Sequence, residues 1–246
     1  MRPSGALVTG IITPFLFLYL LELAIGAGLI SRFAVPFPSD VLAAIPGLVR
    51  DNNLLGRFAS TLGMASLAGL LICTLGVALG AFLARFRRIG IAAEPLVGAF
   101  AASPMVLAYA LFLVFFGRNF VAAVAFAVVG GLPPVILKTR EGLSTVRPVF
   151  LNVGRSLGIS SRQMFFKIEL PAALPTIFTG VRLGFVFGLI HLIAFEFLLN
   201  FGGLGGLVAE LAELYNPPAT MAAMLFVIGL SAMVFFVLER AQRWIR

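Results

Sequence analysis

Apolar residues run through this chain in long blocks, and six of them are prominent: 10–30, 58–84, 91–116, 120–137, 175–199 and 219–238. A helix needs about 20 mostly apolar residues to cross a hydrocarbon core roughly 30 Å thick, so each block predicts a transmembrane helix. The expected fold class is therefore all-α, a polytopic membrane protein of about six spans. Block 10–30 is longer than the apolar stretch of a secretory signal and has no small-x-small cleavage site, which makes it an expected uncleaved first span.

The polar segments between the blocks carry the orientation. With the amino terminus inside, thirteen of the 18 basic residues fall on the cytoplasmic side: Arg2, the cluster Arg85, Arg87 and Arg88, six residues from Lys138 to Lys167, and Arg240, Arg243 and Arg246. The other side holds Arg32, Arg50, Arg57 and Arg118, while Arg182 lies within the fifth block, where a long side chain can snorkel. The positive-inside rule then places both termini in the cytoplasm. A net charge of +8 is thus accounted for by topology and implies no nucleic-acid partner.

Composition narrows the chemistry. Hydrophobic residues make up 61% and charged residues 11%, too little polar surface for a water-soluble globule. One cysteine, Cys73, excludes an intramolecular disulfide and a cysteine metal cluster, and one histidine, His191, removes most zinc and haem sites and histidine-based triads. The chain is expected to lack a metal, a cofactor and bond-making chemistry of its own.

Two connections are long. In the first, 31–57, Pro36-Phe37-Pro38-Ser39-Asp40 predicts a turn whose Ser39 or Asp40 caps a short helix carrying Val41, Leu42 and Ile45, stopped or kinked by Pro46. In the second, 138–174, Pro148 suits the first turn of a helix through Val149, Val153 and Leu157, and Gly158 can end it in a left-handed conformation. Ser160 and Gln163 have the spacing of a capping box, so a second helix starts at once and carries Met164, Phe165 and Ile168 until Pro171 ends it. Such a helix pair is either a cover for the inner ends of the spans or a docking knob offering Arg155, Arg162 and Lys167 to a soluble partner. Periodicity leaves both readings open.

The loop resembles the cytoplasmic motif of permease subunits of binding-protein-dependent ATP-binding-cassette importers, most of all the nitrate, taurine and aliphatic-sulfonate branch. That motif reads Glu-Ala-Ala, three residues, Gly, nine residues, Ile, any residue, Leu-Pro. Here Asn152, Val153 and Gly154 hold the first three places, Gly158 follows at the required distance, and Ile168, Glu169, Leu170 and Pro171 close it. Ser156-Leu157-Gly158, the run Leu170 to Pro175, Gly180-Val181-Arg182, Pro38-Ser39-Asp40-Val41, Pro104, Glu196 and Gly203-Leu204-Gly205 extend the likeness over most of the chain from about residue 36. The departure is the leading Glu, which is Asn152, so an ion pair from that position is not carried over.

The resemblance implies a type I importer permease bundle, one transmembrane permease domain over 1–246 with a coupling loop at about 138–174. Its ATPase-coupling residues would be Asn152, Val153, Gly154, Arg155, Gly158, Ser160, Arg162, Gln163, Ile168, Leu170 and Pro171. It implies a second permease subunit, two cytoplasmic ATPase subunits that hold ATP and magnesium, and a periplasmic or lipid-anchored substrate-binding protein at a bacterial inner membrane. The solute would be a small anion such as a sulfonate or nitrate. A secondary transporter or channel that needs no ATPase is the alternative, and paired ionisable residues in facing spans would favour it.

Polar side chains inside spans are costly and often functional: Glu22, Ser103, Tyr109, His191 and Glu196. Ser103, Tyr109, His191 and Glu196 are candidates for a substrate pathway, with a structural role open for each; His191 and Glu196 are about 140° apart around a helix and form no side-by-side pair. Gly180, Gly184 and Gly188, with Gly76 and Gly80, form small-residue stripes for close helix packing, within or between subunits. Gly202 to Gly206 lacks the Lys-Ser/Thr ending of a phosphate loop. Instead Leu204, Leu207, Val208, Leu211, Leu214 and Tyr215 oppose Glu210 and Glu213, an amphipathic segment expected to lie at the outer interface and to end at Asn216-Pro217-Pro218.

Overall fold

The computed structural model describes residues 3–32 and 35–243, with side chains from residue 12 onward; Arg2 and Arg246 lie outside the described residues. Every regular element among them is helical: α1 (Pro3–Gly26), α2 (Pro38–Asp51), α3 (Leu54–Arg85), α4 (Arg87–Ala102), a 3-10 turn (Met105–Ala108), α5 (Tyr109–Phe116), α6 (Phe120–Ser144), α7 (Pro148–Ser156), α8 (Ser161–Met164), a π turn (Phe165–Glu169), α9 (Leu170–Leu198), α10 (Gly203–Glu213) and α11 (Pro217–Arg243). By length and composition α3, α6, α9 and α11 can each cross a membrane, and α4 with the segment Met105–Phe116 makes a fifth, broken span. The first block holds the apolar helix α1, whose stretch Ile12–Gly26 is shorter than these spans.

The third block is not the continuous helix expected over 91–116. It bends by 85° between Ala102 and Met105. Pro104 pushes the residue before it out of the helical region, and Ser103 accordingly has φ −71° and ψ 143°. Met105 cannot resume the ladder directly, and the chain turns through one 3-10 segment before α5.

The glycine stripes are used inside the subunit. α6 lies between α3 and α9, and glycines on all three helices let the backbones approach. A Cβ on Gly184 would stand 2.7 Å from the Gly131 carbonyl oxygen, one on Gly180 2.6 Å from Lys138 Cβ, and one on Gly188 2.6 Å from Ile72 Cδ1. From α3, a Cβ on Gly76 would meet Val135 at 2.6 Å and one on Gly80 the Ile136 carbonyl oxygen at 2.7 Å. Lipid tails are as apolar as leucine, so this close van der Waals packing, not burial from water, holds the three helices together. Phe126, Ile72, Leu192 and Phe195 fill the centre.

Three prolines mark how the helices begin and continue. Pro38 starts α2 at its first turn, and Pro46 sits inside that helix without ending it. Ser39 caps nothing; its hydroxyl donates to Glu22 Oε1 at 2.6 Å, tying α2 to α1. Pro171 does not end the helix after the glycine corner: the backbone stays helical from Ser161 through a π turn into α9. A π turn shifts the hydrogen-bond register by one residue, which accommodates the missing proline N–H where an α-helix would clash.

α10 also differs. Its apolar face is packed against α3, α9 and α11, with Gly203 to Ala209 buried, so it is part of the bundle and does not lie on the surface. Only its carboxyl end emerges, with Tyr215 91% exposed. Asn216 accepts from the Ala219 N–H and starts α11, where Pro217 opens the first turn.

Candidate functional site

The elbow between α6 and α9 is built by local chemistry. α7 ends in a Schellman pair: the Gly158 N–H donates to the Arg155 carbonyl at 3.0 Å and the Ile159 N–H to the Gly154 carbonyl at 3.3 Å, with Gly158 at φ +66°. Ser160 then caps α8 reciprocally. The Gln163 N–H donates to Ser160 Oγ at 3.3 Å, and the Ser160 N–H donates to Gln163 Oε1 at 2.9 Å. With no residue to spare between the two caps, the chain turns sharply.

The two arms touch at Gly154. A Cβ there would lie 2.7 Å from Met164 Cε and 2.8 Å from Ile168 Cδ1, so α7 lies directly on the start of the next helix. Gly158 meets no atom within 4 Å; its glycine is required by conformation, while that of Gly154 is required by space. Val149, Val153 and Leu157, the expected apolar face of α7, are 62%, 53% and 73% exposed and cover no span. Asn152 Oδ1 accepts from Arg155 at 3.3 Å, and Arg162 is exposed. Leu170 and Pro171 begin α9.

Of the four pathway candidates, the fold brings two together. Ser103 at the break of the third span and His191 on α9 line one cavity of about 420 Å³, with Phe100, Met105, Pro133 and Phe187. His191 Nδ1 is 2.7 Å from the Phe187 carbonyl oxygen, which can only accept, so Nδ1 donates in this contact. The ring lies over Gly130, where a Cβ would come within 2.6 Å of it. Ser103 Oγ donates to the Ala99 carbonyl. Lys138 also lines this space, but its ammonium is paired with Glu141 at 2.6 Å.

Tyr109 and Glu196 are elsewhere. Tyr109 packs half-buried against the core at the start of α5. Glu196 is fully buried at the end of the bundle opposite the elbow, where it accepts from Thr61 Oγ1 at 2.9 Å and from the Gly205 N–H at 2.9 Å. Thr61 in turn accepts from the Leu204 N–H at 2.8 Å. Gly203, at φ +55°, leaves room for the carboxylate: a Cβ there would fall inside it. One turn before Thr61, Arg57 pairs with Glu210 of α10 at 2.5 Å. Thr61, Arg57 and Glu210 had no local signal in the sequence, because each finds its partner more than 130 positions away.

Comparisons with known proteins agree with this architecture. The family described as binding-protein-dependent transport system inner membrane component matches residues 76–246. The chain is 34% identical over 143 residues to the glycine betaine/proline betaine transport system permease protein ProW of Escherichia coli (strain K12), covering 58% of this chain and 40% of that protein's length. It is 26% identical over 220 residues to the taurine transport system permease protein TauC of the same organism, covering 87% and 78%. The formylaminopyrimidine transport permease protein ThiX of Halalkalibacterium halodurans is 24% identical over 231 residues, 94% of this chain and 92% of that one. Among solved structures, the MetNI methionine ABC transporter in an inward-facing conformation superimposes with a TM-score of 0.68 at 19% identity, over 78% of this chain and 96% of that one, a likeness of fold. With a family match over more than half its length and the family's loop spacing at its elbow, the chain belongs to the inner membrane components of binding-protein-dependent transport systems.

Proposed function

We propose that this permease is the channel-forming subunit of an ATP-driven importer, working as a dimer with a second copy of itself, two cytoplasmic ATPase subunits and a periplasmic or lipid-anchored substrate-binding protein. It is a transport protein and not an enzyme; ATP and magnesium belong to the partner ATPases. The elbow is its coupling element, and both termini lie in the cytoplasm with it. ATPase subunits that bind the elbow differently in two states would shift the permease between outward- and inward-facing forms, because a ligand moves an equilibrium only by its differential affinity.

One observation carries this reading: the apolar face of α7 is exposed on a rigid, doubly capped corner, where a mere cover would bury it. The test is Gly158→Val in the reconstituted complex. A β-branched residue at φ +66° costs about 1 kcal/mol or more and turns α8 out of line. Normal abundance with weakened ATPase association or hydrolysis uncoupled from transport is expected, and Arg162→Glu should act in the same direction more mildly. Parental association and hydrolysis, with parental transport, in a well-expressed Gly158→Val chain would instead make the elbow a cover that takes no part in coupling.

The solute we propose is small and passes the cavity bounded by Ser103 and His191. Likeness to TauC supports an anion such as a sulfonate or nitrate. A second reading, an uncharged ring-bearing solute, is favoured by the cavity itself: its walls are mostly apolar, and its one ammonium is already paired with Glu141. The likeness to ThiX along almost the whole chain points the same way. Competition of taurine and of formylaminopyrimidine for uptake separates the two.

A further inference from the structure

Two adjoining cavities, of about 510 and 530 Å³, meet at Arg85, Phe165 and Glu169 and form one groove along the elbow end of the bundle. Its two halves differ in chemistry. One half runs back along α3 past Ala78, Ala81 and Phe82, which lie inside a membrane-crossing helix. Small side chains at 78 and 81 leave a shallow apolar slot there, walled by Phe82. The other half opens beyond the end of α3 between Arg155 and Arg162 of the elbow.

Charge in the groove is one-sided. Three arginines face a single carboxylate, Glu169, and none of them forms an ion pair with it. Arg85 and Arg162 have no hydrogen-bond partner among the described residues, and Arg155 reaches only the neutral Asn152. Guanidinium groups present planar forks that match phosphate oxygens. A soluble partner with an acidic surface would need the arginines but not the slot inside the membrane-crossing helix. A lipid needs both, in this order: acyl chain at hydrocarbon depth, phosphate where the helix leaves it.

We propose that this groove binds an anionic phospholipid, its phosphate among Arg85, Arg155 and Arg162 and one acyl chain along Ala78, Ala81 and Phe82. Basic pockets between membrane helices recognise anionic headgroups in this way. A bound lipid would join the end of α3 to the elbow, between which no hydrogen bond is made among the described residues. Arg155 and Arg162 belong to the elbow that docks the ATPase in the proposed function, so lipid and ATPase would contend for them; the inference itself rests on the span assignment and is tested on the permease alone, where its failure leaves the ATPase reading untouched.

The experiment is native mass spectrometry of the purified full chain in detergent, titrated with phosphatidylglycerol, with phosphatidylcholine of the same acyl chains, and with glycerol 3-phosphate. Each arginine near a headgroup is worth about fivefold in affinity, so phosphatidylglycerol should bind at least about tenfold more tightly than phosphatidylcholine and about fivefold more weakly to Arg85→Gln. Ala81→Leu, which fills the slot and keeps every charge, should weaken it too. Arg85 is exposed and unpaired, so its neutral variant is expected to fold, and the comparison of lipids on the parent chain stands regardless. Equal binding of the two lipids, parental binding by both variants, or complete displacement by millimolar glycerol 3-phosphate would each overturn the proposal, the last by showing an anion site with no place for a chain.

Discussion

Thr61 and Glu196, 135 positions apart, are joined by a hydrogen bond of 2.9 Å between two fully buried side chains. The same threonine oxygen accepts from the Leu204 N–H, so one hydroxyl links α3 to α9 and to the first turn of α10. A carboxyl group inside a bundle is tolerated only with donors aimed at it, and here those donors are the Thr61 hydroxyl and the Gly205 amide in the first turn of α10.

Thr61→Val keeps the shape and removes both bonds of that hydroxyl. With Glu196 and the Leu204 amide each short of a partner, the cost is expected at about 1–3 kcal/mol. It should be visible as a lower thermal midpoint of the purified chain in detergent, with Thr61→Ser close to the parent. A Thr61→Val midpoint equal to that of the parent means that Glu196 is satisfied without Thr61.

Neighbouring glycines at the start of α10 separate conformation from space. Gly202 and Gly203 have φ +50° and +55°, but a Cβ on Gly202 meets nothing within 4 Å while one on Gly203 would overlap the Glu196 carboxylate. With ψ −166° Gly202 lies in a region held almost only by glycine, so Gly202→Ala should cost about 1–3 kcal/mol of backbone strain, and Gly203→Ala more. Equal midpoints for the two variants would remove the steric role given to Gly203.

In the three-helix centre, Gly184→Ala should be costly although alanine is the better helix former in water. Its Cβ would press on the Gly131 carbonyl, which is backbone and cannot swing aside. Overpacking of this kind typically costs about 1–3 kcal/mol. Gly63 on α3 has open space around it, and Gly63→Ala is the control expected to be neutral or better. Reversal of that order in thermal unfolding would count against the helix register described here.

Orientation is read with single cysteines in a Cys73→Ser background. Arg87→Cys and Arg155→Cys, both at exposed positions, are expected to be shielded from an impermeant thiol reagent added to intact cells, and Asp51→Cys to react. Labelling of Arg155→Cys from outside would invert the topology and remove the elbow from the cytoplasm.

Much of the elbow was legible in its own residues, because caps are local: Pro148, Gly158, Ser160 and Gln163 act within four positions of themselves, and each does what its spacing predicts. Pro171 misled for a related reason. A proline removes one donor wherever it stands, but whether the helix ends or shifts register depends on what the next helix packs against. The break at Ser103 was also within reach of local reading, since the residue before a proline is pushed towards extended backbone, yet the unbroken apolar run outweighed it.

By itself, then, the sequence determined what depends on neighbours along the chain: apolar blocks long enough to cross a bilayer, the uneven share of basic residues among the connections, the capped corner and the loop spacing of its family. Tertiary structure alone decided which polar groups share a site. His191 and Ser103 meet at one cavity, Glu196 is withdrawn to Thr61 and α10, and the glycine stripes are used between α3, α6 and α9. The physical reason is that in lipid almost any helix face is apolar enough to be buried, so hydrophobicity does not say which faces meet; that choice falls to close packing at glycines and to the few hydrogen bonds that a buried polar atom must find.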